Sequence, residues 1–460
     1  MNLLSMTRLI SAGALSGAMS TCAAAPAADL TVFNGQPGAH WRVLVADPQG
    51  RVAYQGQAVQ VPKGATAQQP ASVVGARPAR RQARGGVDGG AGADAGAGAP
   101  GEADAVSLHF RDTWYAALRF ESPVPLDLGP WLARGQLVLD IQVAEMAQGG
   151  LHIGLSCGEH CGRRLNQVLP SRALAGRGWQ TLAFPLHCFV RQGDDWRGAT
   201  PAVTLDGNGA GEVAVARVRL SAAPVPGLAA QPCISAEAQT VTPEPLNQAW
   251  SLGWWLPRHQ QKLAEARAML AAGRGPQLVM IGDSITQSWE DTGRGPWNRH
   301  LAPLGALNLG FGGDKTENVL WRLQNGALDG LNPRVVTLLI GTNNTGDRMD
   351  HAAATAAGVA RVLQEIRQRL PAARVLLLAI LPREARPDAA MRQRNEQINA
   401  LIERLADGRQ VHFLNVNSAL TNPDGTLSTE LLPDLLHLSE RGYALWAERL
   451  LPVLRTLMAP

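Results

Sequence analysis

The sequence predicts two domains, an all-β sandwich followed by an α/β domain that is built on a parallel sheet. Two patterns along its 460 residues indicate this division. Up to about Cys233, short segments alternate polar and apolar residues between turn residues, as in a β-sandwich. After Cys233, near-continuous apolar segments alternate with helical ones, which is typical of a parallel sheet covered on both faces. We therefore place the sandwich at residues 29–234 and the α/β domain at residues 235–460.

The first 28 residues resemble a secretory signal peptide. Arg8 supplies a positive charge, residues 9–19 are small and apolar, and residues 25–28 offer a small-residue cleavage site. This apolar run is too short to span a bilayer. Cys22 follows Met-Ser-Thr and lacks the leucine of a lipobox, so we do not expect a lipid anchor. The pattern predicts a secreted or periplasmic protein.

The predicted sandwich consists of short alternating segments interrupted by one insertion. Residues 64–104 are rich in Ala, Gly, Gln and Arg and cannot bury enough apolar surface to fold. We expect a disordered insertion there. The segments are LTVFNG, HWRVLVAD and VAYQGQAVQV before it, and AVSLHF, WYAALRF, GQLVLDIQV, LHIGLSCG, WQTLAFPLHCF and EVAVARVRL after it.

Four cysteines remain after the predicted signal peptide, and all of them precede the α/β domain. They are Cys157, Cys161, Cys188 and Cys233. An even number in an exported chain favours two disulfides, whose pairing the sequence does not specify. The alternative is a metal site that includes the neighbouring His160 and His187. We favour the disulfides and predict no metal.

Charge argues against a nucleic-acid partner. Lys and Arg number 42 against 38 for Asp and Glu, and they are scattered except in the run at residues 77–84. That run contains no aromatic ring, whereas nucleic-acid binding combines a basic face with stacking rings. Beyond the signal peptide, no stretch is long and apolar enough to predict a membrane span.

Alternating apolar and helical segments predict the α/β domain. A helix over 257–272 precedes the first strand and is followed by Gly273, a common helix end. The predicted strands are QLVMIG, ALNLG, RVVTLLIG, RVLLLAIL and VHFLNV, and the later helices cover 316–325, 351–369, 388–407 and 439–456.

Chemically useful residues follow four of these strands. Ser284 follows the first strand, Gly313 the second and Asn343 the third, while Asp434 and His437 follow the fifth after a loop. The carboxyl ends of parallel strands lie along one edge of a sheet, so these residues should meet. Each also has a simpler interpretation. Ser284 could cap the next helix, Gly313 make a turn, Asn343 bond its own loop and His437 lie on the surface.

Together the five residues can hydrolyse an ester. A serine hydroxyl becomes a nucleophile when a base such as His437 takes its proton, and Asp434 can hold the imidazole in the required tautomer. The backbone N–H groups of Ser284 and Gly313 and the amide of Asn343 can stabilise the oxyanion. Such a site needs neither metal nor cofactor.

A second serine satisfies a catalytic motif. Ser156 in GLSCG fits the G-x-S-x-G pattern, which requires a strand, a sharp turn and a helix. Further β-type sequence follows Ser156, so we do not expect it to be the nucleophile.

The four motifs, GDS at 282–284, Gly313, GTNN at 341–344 and DxxH at 434–437, resemble those of the SGNH, or GDSL, hydrolase superfamily. ALNLGFGGDKTENVLWRLQNG and GTNN are similar to the branch that contains the platelet-activating-factor acetylhydrolase catalytic subunit. The resemblance covers about residues 250–458. It implies a flavodoxin-like three-layer fold and metal-free ester hydrolysis. By position it makes Ser284, Asp434 and His437 the triad, and Ser284, Gly313 and Asn343 the oxyanion hole.

The N-terminal part resembles the galactose-binding-like C-terminal domain of exo-glucosidases of glycoside hydrolase family three. The matching features are CGEHC, the GW before LAFPLHCF, and GDDW. The resemblance implies a jelly-roll sandwich that contacts carbohydrate. Candidate sugar platforms, each of which could instead be a core residue, are Trp114, Trp131, Trp179 and Trp196.

These expectations favour an exported serine esterase that deacetylates O-acetylated carbohydrate, either a small molecule or a polysaccharide. One alternative is a lipase, thioesterase or broad carboxylesterase of the same superfamily. The other is a non-catalytic carbohydrate-binding protein.

Overall fold

The computed structural model describes residues 29–47, 50–53, 59–61, 72–73, 105–146, 148–158 and 161–459. The predicted signal peptide, with Cys22, lies outside these residues, as does nearly all of the insertion predicted at 64–104. Within that insertion, Ser72 and Val73 form a short strand. Among the described residues, no helix combines the length and apolar character that crossing a bilayer requires.

The N-terminal part is a mainly antiparallel β-sandwich, as predicted. Hydrogen bonds order its main strands β10-β7-β11-β6-β2-β3, and β8 pairs with both β11 and β9. A short helix, α1 (Val168–Leu174), follows β9 and is absent from the sequence prediction. The described strands are β1 (Leu30–Asn34), β2 (Arg42–Asp47), β3 (Gly50–Ala53), β4 (Val59–Val61), β5 (Ser72–Val73), β6 (Val106–Glu121), β7 (Gln136–Glu145), β8 (Gly150–Gly158), β9 (Cys161–Asn166), β10 (Trp179–Pro185) and β11 (Ala202–Ser221).

Strand β11 takes part in both layers of the sandwich. Its residues 202–208 pair with β8 and its residues 212–221 pair with β7. The sequence predicts a strand only from Glu212, because the preceding Gly-Asn-Gly-Ala-Gly is typical of a turn. Register shifts between Gly207 and Gly211 show instead that these residues form bulges, which bend one continuous strand.

Two disulfides hold the sandwich together and confirm the expectation from the cysteine count. Cys157 pairs with Cys161 and joins β8 to β9. Cys188 pairs with Cys233 and joins the segment after β10 to the segment after β11. The structure thereby supplies the pairing that the sequence leaves open.

The C-terminal part is the predicted α/β fold around a five-stranded parallel sheet. The strand order β13-β12-β14-β15-β16 is that of a flavodoxin-like sheet. Its strands are β12 (Leu278–Gly282), β13 (Ala306–Gly310), β14 (Val335–Leu339), β15 (Arg374–Leu378) and β16 (Val411–Leu414). The α-helices after α1 are α2 (Ala236–Gln239), α3 (Trp255–Ala271), α4 (Ser284–Gln287), α5 (Arg294–Pro296), α6 (Thr316–Arg322), α7 (Thr342–Arg348), α8 (Ala352–Arg369), α9 (Ala390–Ile402) and α10 (Glu440–Met458).

The sheet is buried on both faces, which explains its near-continuous apolar strands. Val279 and Ile281 of β12 pack with residues of α6, α8 and α9. Leu278 and Met280, which alternate with them, pack with residues of α4 and α10 on the opposite face. The arrangement is therefore three layers, with the carboxyl ends of the strands along one edge.

Residues 235–254 connect the sandwich to the α/β part and hydrogen-bond to both. On the sandwich side, Asn166 Nδ2 donates to the carbonyl of Asn247 at 2.7 Å. On the other side, Thr240 Oγ1 donates to the carbonyl of Ala354 at 2.8 Å. This connecting segment is therefore fixed against both parts and ends next to the carboxyl edge of the sheet.

Candidate active site

Ser284 lies at the carboxyl end of the central strand β12. The strand ends at Gly282, and Asp283 caps the helix that follows, because its Oδ1 accepts the backbone N–H of Ile285 at 3.0 Å. The interpretation of Ser284 as the helix cap is therefore wrong. Ser284 is instead the first residue of α4, and its side chain is partly exposed.

A continuous line of hydrogen bonds joins Ser284 to His437 and Asp434. Ser284 Oγ lies 2.9 Å from His437 Nε2. His437 Nδ1 lies 2.6 Å from Asp434 Oδ2. With Nδ1 donating to the carboxylate, Nε2 can accept the serine proton. This is the arrangement of a nucleophile, a base and an orienting acid.

The loop that carries the acid and the base is folded around the carboxylate itself. Asp434 Oδ1 accepts the backbone N–H groups of Leu436 at 3.0 Å and His437 at 2.6 Å. Leu435 adopts a φ of 62°, which is uncommon for leucine, and its carbonyl accepts the N–H of Glu384 at 3.0 Å. This turn places a carboxylate and an imidazole only three residues apart in direct contact.

The charged form of Asp434 is favoured at this position. Partial burial acts to raise the pKa of Asp434, but hydrogen bonds from the His437 ring and from two backbone N–H groups outweigh it and lower that pKa below its ordinary value. The side chain is 54% exposed, so water also solvates it. Asp434 therefore stays ionised at neutral pH and can hold the imidazole.

Gly313 and Asn343 meet beside the end of the strand. Asn343 Nδ2 donates to the carbonyl of Asp314, the residue after Gly313, at 3.0 Å. Gly313 has a φ of +77°, and a Cβ added to it would lie 2.3 Å from Cη2 of the Trp250 ring. Only glycine both adopts this positive φ readily and leaves the space of a Cβ free for the Trp250 ring. The structure thus brings the predicted Gly313 and Asn343 together through Asp314.

A fully buried ion pair fixes the loop that contains Gly313. Asp314 Oδ2 lies 2.7 Å from Nη2 of Arg322, and Asp314 Oδ1 accepts the indole N–H of Trp255 at 2.7 Å. The guanidinium of Arg322 stacks on the ring of Phe311 at 3.9 Å. Burial raises the pKa of Asp314 to about 6, against the lowering effect of Arg322. This network holds the carbonyl that orients Asn343.

Asp283 is a second buried carboxylate at this edge, and among the described residues it forms no ion pair like that of Asp314 with Arg322. Burial, with a smaller contribution from the charge of Asp314, raises the pKa of Asp283 to about 7, although the bond from the Ile285 N–H and the charge of Arg383 act to lower it. Neither Asp283 nor Asp314 contacts His437 through a described hydrogen bond. Among the described residues, the carboxylate that hydrogen-bonds to the His437 ring is Asp434.

The other serine motif has a structural role. Ser156 lies within β8, which continues to Gly158, and its neighbour Cys157 is in a disulfide. The turn and helix of a nucleophile elbow are absent at this described position.

The cysteines that the metal alternative would use are joined in disulfides. A thiolate, not a disulfide sulfur, binds zinc. His187 lies next to the Cys188–Cys233 pair. His160, the other predicted ligand, lies outside the described residues.

The candidate sugar platforms of the sandwich differ in exposure. Trp196 is buried, which contradicts a platform role, and Trp131 packs against the sandwich core. Trp179 is 36% exposed. The side chain of Trp114 lies outside the description.

Sequence reasoning missed four residues that surround the site. Trp250, Trp254 and Trp255 precede and begin α3, and Arg322 ends α6. The available signal was the concentration of three of the chain's 12 tryptophans in six residues. None of them follows a strand directly, whereas the five predicted site residues were identified by their positions after strands.

Comparison with known families gives two matches. Residues 280–445 match the GDSL-like lipase/acylhydrolase family, and this range contains all five candidate site residues. Residues 101–220 match a galactose-binding domain-like family.

Comparison with individual proteins and solved structures gives further similarities, each over part of this chain. Human platelet-activating factor acetylhydrolase IB subunit alpha1 is 35% identical over 218 residues, which are 47% of this chain and 90% of the human protein. A GDSL-like lipase structure from Bacteroides thetaiotaomicron is 19% identical with a TM-score of 0.37, covering 43% of this chain and 97% of that chain. An exo-1,3/1,4-beta-glucanase structure from a Pseudoalteromonas species is 22% identical with a TM-score of 0.32, covering 46% of this chain and 23% of that chain.

Proposed function

Because this chain belongs to the GDSL-like lipase/acylhydrolase family and is an ester hydrolase, we propose that Ser284, His437 and Asp434 are its catalytic triad. The observation that carries this proposal is the hydrogen-bonded line from Ser284 Oγ through the imidazole to the Asp434 carboxylate. A family match alone names a type of reaction. The line of hydrogen bonds supports a role for each of three side chains.

The first half of the reaction acylates the serine. His437 Nε2 takes the proton of Ser284 Oγ while the oxygen attacks the ester carbonyl. The negative charge on the former carbonyl oxygen is stabilised by the backbone N–H groups of Ser284 and Gly313 and by the Asn343 amide. The intermediate then collapses, and His437 returns the proton to the departing alcohol.

The second half releases the acid. Water enters, His437 takes one of its protons, and the hydroxide attacks the acyl group on Ser284. The same donors stabilise the second oxyanion. Collapse breaks the bond to Oγ, which recovers its proton from His437, and the carboxylic acid leaves. No cofactor takes part.

The proposed substrate is an acetyl ester of a carbohydrate. The curated relatives are named acetylhydrolases, which favours acetyl as the acyl group. The match of residues 101–220 to a galactose-binding domain-like family favours a sugar as the alcohol. The first 28 residues and the two disulfides favour export, where polysaccharide substrates occur.

Acetate release tests the proposal. The full chain is incubated with acetylated polysaccharides, with 4-nitrophenyl esters of increasing acyl length and with an acyl thioester. We expect acetate from the polysaccharides, a preference for the shortest acyl chain, and loss of turnover by several orders of magnitude in Ser284→Ala.

The alternatives give different results. Preference for long acyl chains or for the thioester would favour a lipase or thioesterase and contradict the proposed substrate. Saccharide binding with no turnover of any ester would contradict catalysis altogether.

A further inference from the structure

Two tryptophans of the connecting segment stand beside the oxyanion loop. The ring planes of Trp250 and Trp254 lie 29° apart with centroids separated by 6.0 Å. Trp250 is 51% exposed, whereas Trp254 is partly buried. Two adjacent aromatic rings that solvent can reach offer a surface on which a ligand ring can stack.

The contact with the site is direct. The edge of the Trp250 ring covers Gly313. A Cβ added to Gly313 would lie only 2.3 Å from Cη2 of that ring. The Trp254 ring lies 3.5 Å from the corresponding position at Gly312. A substrate whose carbonyl oxygen reaches the N–H of Gly313 therefore comes next to these rings.

The backbone around the rings is held rigidly. The buried Ser251 Oγ donates to the carbonyl of Leu246 at 2.7 Å. The indole N–H of Trp254 donates to the carbonyl of Trp250 at 3.1 Å, and Trp255 bonds to the buried Asp314. Rings fixed in this way lose little conformational freedom when a ligand binds, which favours affinity.

The β-sandwich reaches the same segment. His152 Nε2 lies 2.9 Å from Oε1 of Gln248, two residues before Trp250. With the bond from Asn166 to Asn247, this places the rings between the galactose-binding-like part and Ser284. A saccharide that contacted both parts would pass over them.

The chemistry of the rings favours a sugar over an acyl chain. One face of a sugar ring carries C–H groups that stack on indole, while its hydroxyl groups point outward and stay in water. A half-exposed ring suits such a ligand. A long acyl chain loses free energy where it stays in contact with water, so it favours an enclosed channel.

We propose that Trp250 and Trp254 form a platform on which the sugar ring of the substrate stacks while its ester is held at Ser284. This proposal rests on the proposed function, since it names how the carbohydrate alcohol is recognised. It makes the two tryptophans determinants of specificity that act on the leaving group and leave the chemical step unchanged.

The test compares two acetyl esters that differ in the sugar ring. Ethyl acetate and mono-O-acetylated methyl glycosides carry the same acyl group, and only the latter can stack. In Trp250→Ala and Trp254→Ala, we expect kcat/KM for the glycosides to fall about fivefold to tenfold, mainly through KM. Turnover of ethyl acetate should be unchanged.

Two variants control the experiment. Trp250→Phe keeps a ring and should recover most of the glycoside activity. Leu169→Ala removes another exposed large apolar side chain, on helix α1 of the sandwich, and should leave both substrates unaffected.

Three other outcomes would contradict the proposal, and each would do so for a different reason. Equal losses on both esters would show a structural role for the tryptophans, and unchanged glycoside kinetics would show no role. In either case the triad proposal would stand if Ser284→Ala remained inactive. Losses that grow with acyl length on simple esters would show that the rings hold the acyl chain, which would also contradict the carbohydrate substrate.

Discussion

At the scale of single residues, Gly313 shows how a site can depend on the absence of a side chain. Its φ of +77° is costly for other residues, and a Cβ would collide with Trp250. Gly313→Ala should therefore displace an oxyanion donor and lower kcat on ethyl acetate by at least about tenfold, with the fold retained. Steady-state kinetics and circular dichroism measure both effects.

Gly312 is the matched control. A Cβ there would lie 3.5 Å from its nearest neighbours, an ordinary contact. Gly312→Ala should keep kcat within about threefold of the wild type. Equal losses in the two variants would contradict the specific role of Gly313.

The titration of Asp283, at the same edge of the sheet, should make the free energy of unfolding depend on pH. Burial raises its pKa to about 7, whereas an aspartate in an unfolded chain titrates near pH 3.9. Between these values the folded state binds more protons, so the contribution of Asp283 to the free energy of unfolding falls as pH rises and is lost above about pH 7. Asp283→Asn keeps a capping oxygen for Ile285 and removes this dependence.

The free energy of unfolding of Asp283→Asn, measured relative to that of the wild type, should therefore increase from pH 5 to pH 8. Urea unfolding at the two pH values measures it, and Asp291→Asn supplies an exposed control. A difference that does not change with pH would show that Asp283 is already ionised at pH 5.

At the scale of elements, the loop 434–437 joins the acid and the base in one turn. Asp434→Asn removes the charge that holds the imidazole and favours the wrong tautomer. We expect kcat to fall by about 10²- to 10⁴-fold. The fall should persist across the neutral pH range, because the hydrogen bonds of Asp434 lower its pKa and keep it ionised there.

Asp424→Asn is the control for this loop. Asp424 is exposed and also accepts a backbone N–H, that of Thr426 at 3.0 Å, but it does not bond to His437. Its substitution should leave the rate unchanged. If Asp434→Asn kept a near-wild-type rate, another group would have to orient the imidazole.

The elements also show where sequence patterns stop being informative. The strands of the parallel sheet are predicted well because they are buried on both faces, but the third, fourth and fifth are predicted to end too late. The fourth strand shows the reason. Ile380 is still buried, yet its backbone N–H bonds to the Asn399 side chain at 2.8 Å and no longer to a neighbouring strand. A run of apolar residues indicates that a segment is buried. It does not indicate whether the backbone hydrogen-bonds to a neighbouring strand or to a side chain.

The predicted site was found because strand ends are visible in sequence. Ser284, Gly313, Asn343, Asp434 and His437 each follow a strand, and the structure brings them to one edge. Trp250 and Arg322 reach that edge through contacts that are distant in sequence and follow no strand. The concentration of tryptophans at 250–255 is visible in the sequence, but it does not show which distant residues they contact.

At the scale of the whole molecule, the four disulfide-bonded cysteines lie in the sandwich and in the segment that follows its last strand. Both disulfides lie before residue 235, and the parallel sheet has no cysteine. Reduction should therefore lower the melting temperature of the sandwich first. Mass spectrometry of the unreduced chain should find Cys157–Cys161 and Cys188–Cys233, and four free thiols would contradict the pairing.

The central claim is that Ser284 is the nucleophile, and covalent labelling tests it most directly. A fluorophosphonate reacts with a serine whose hydroxyl is activated by a neighbouring base, and peptide mass spectrometry then locates the modified residue. We predict modification of Ser284, abolished in His437→Ala and in Ser284→Ala. Modification of Ser156, or labelling that survives in Ser284→Ala, would contradict the account.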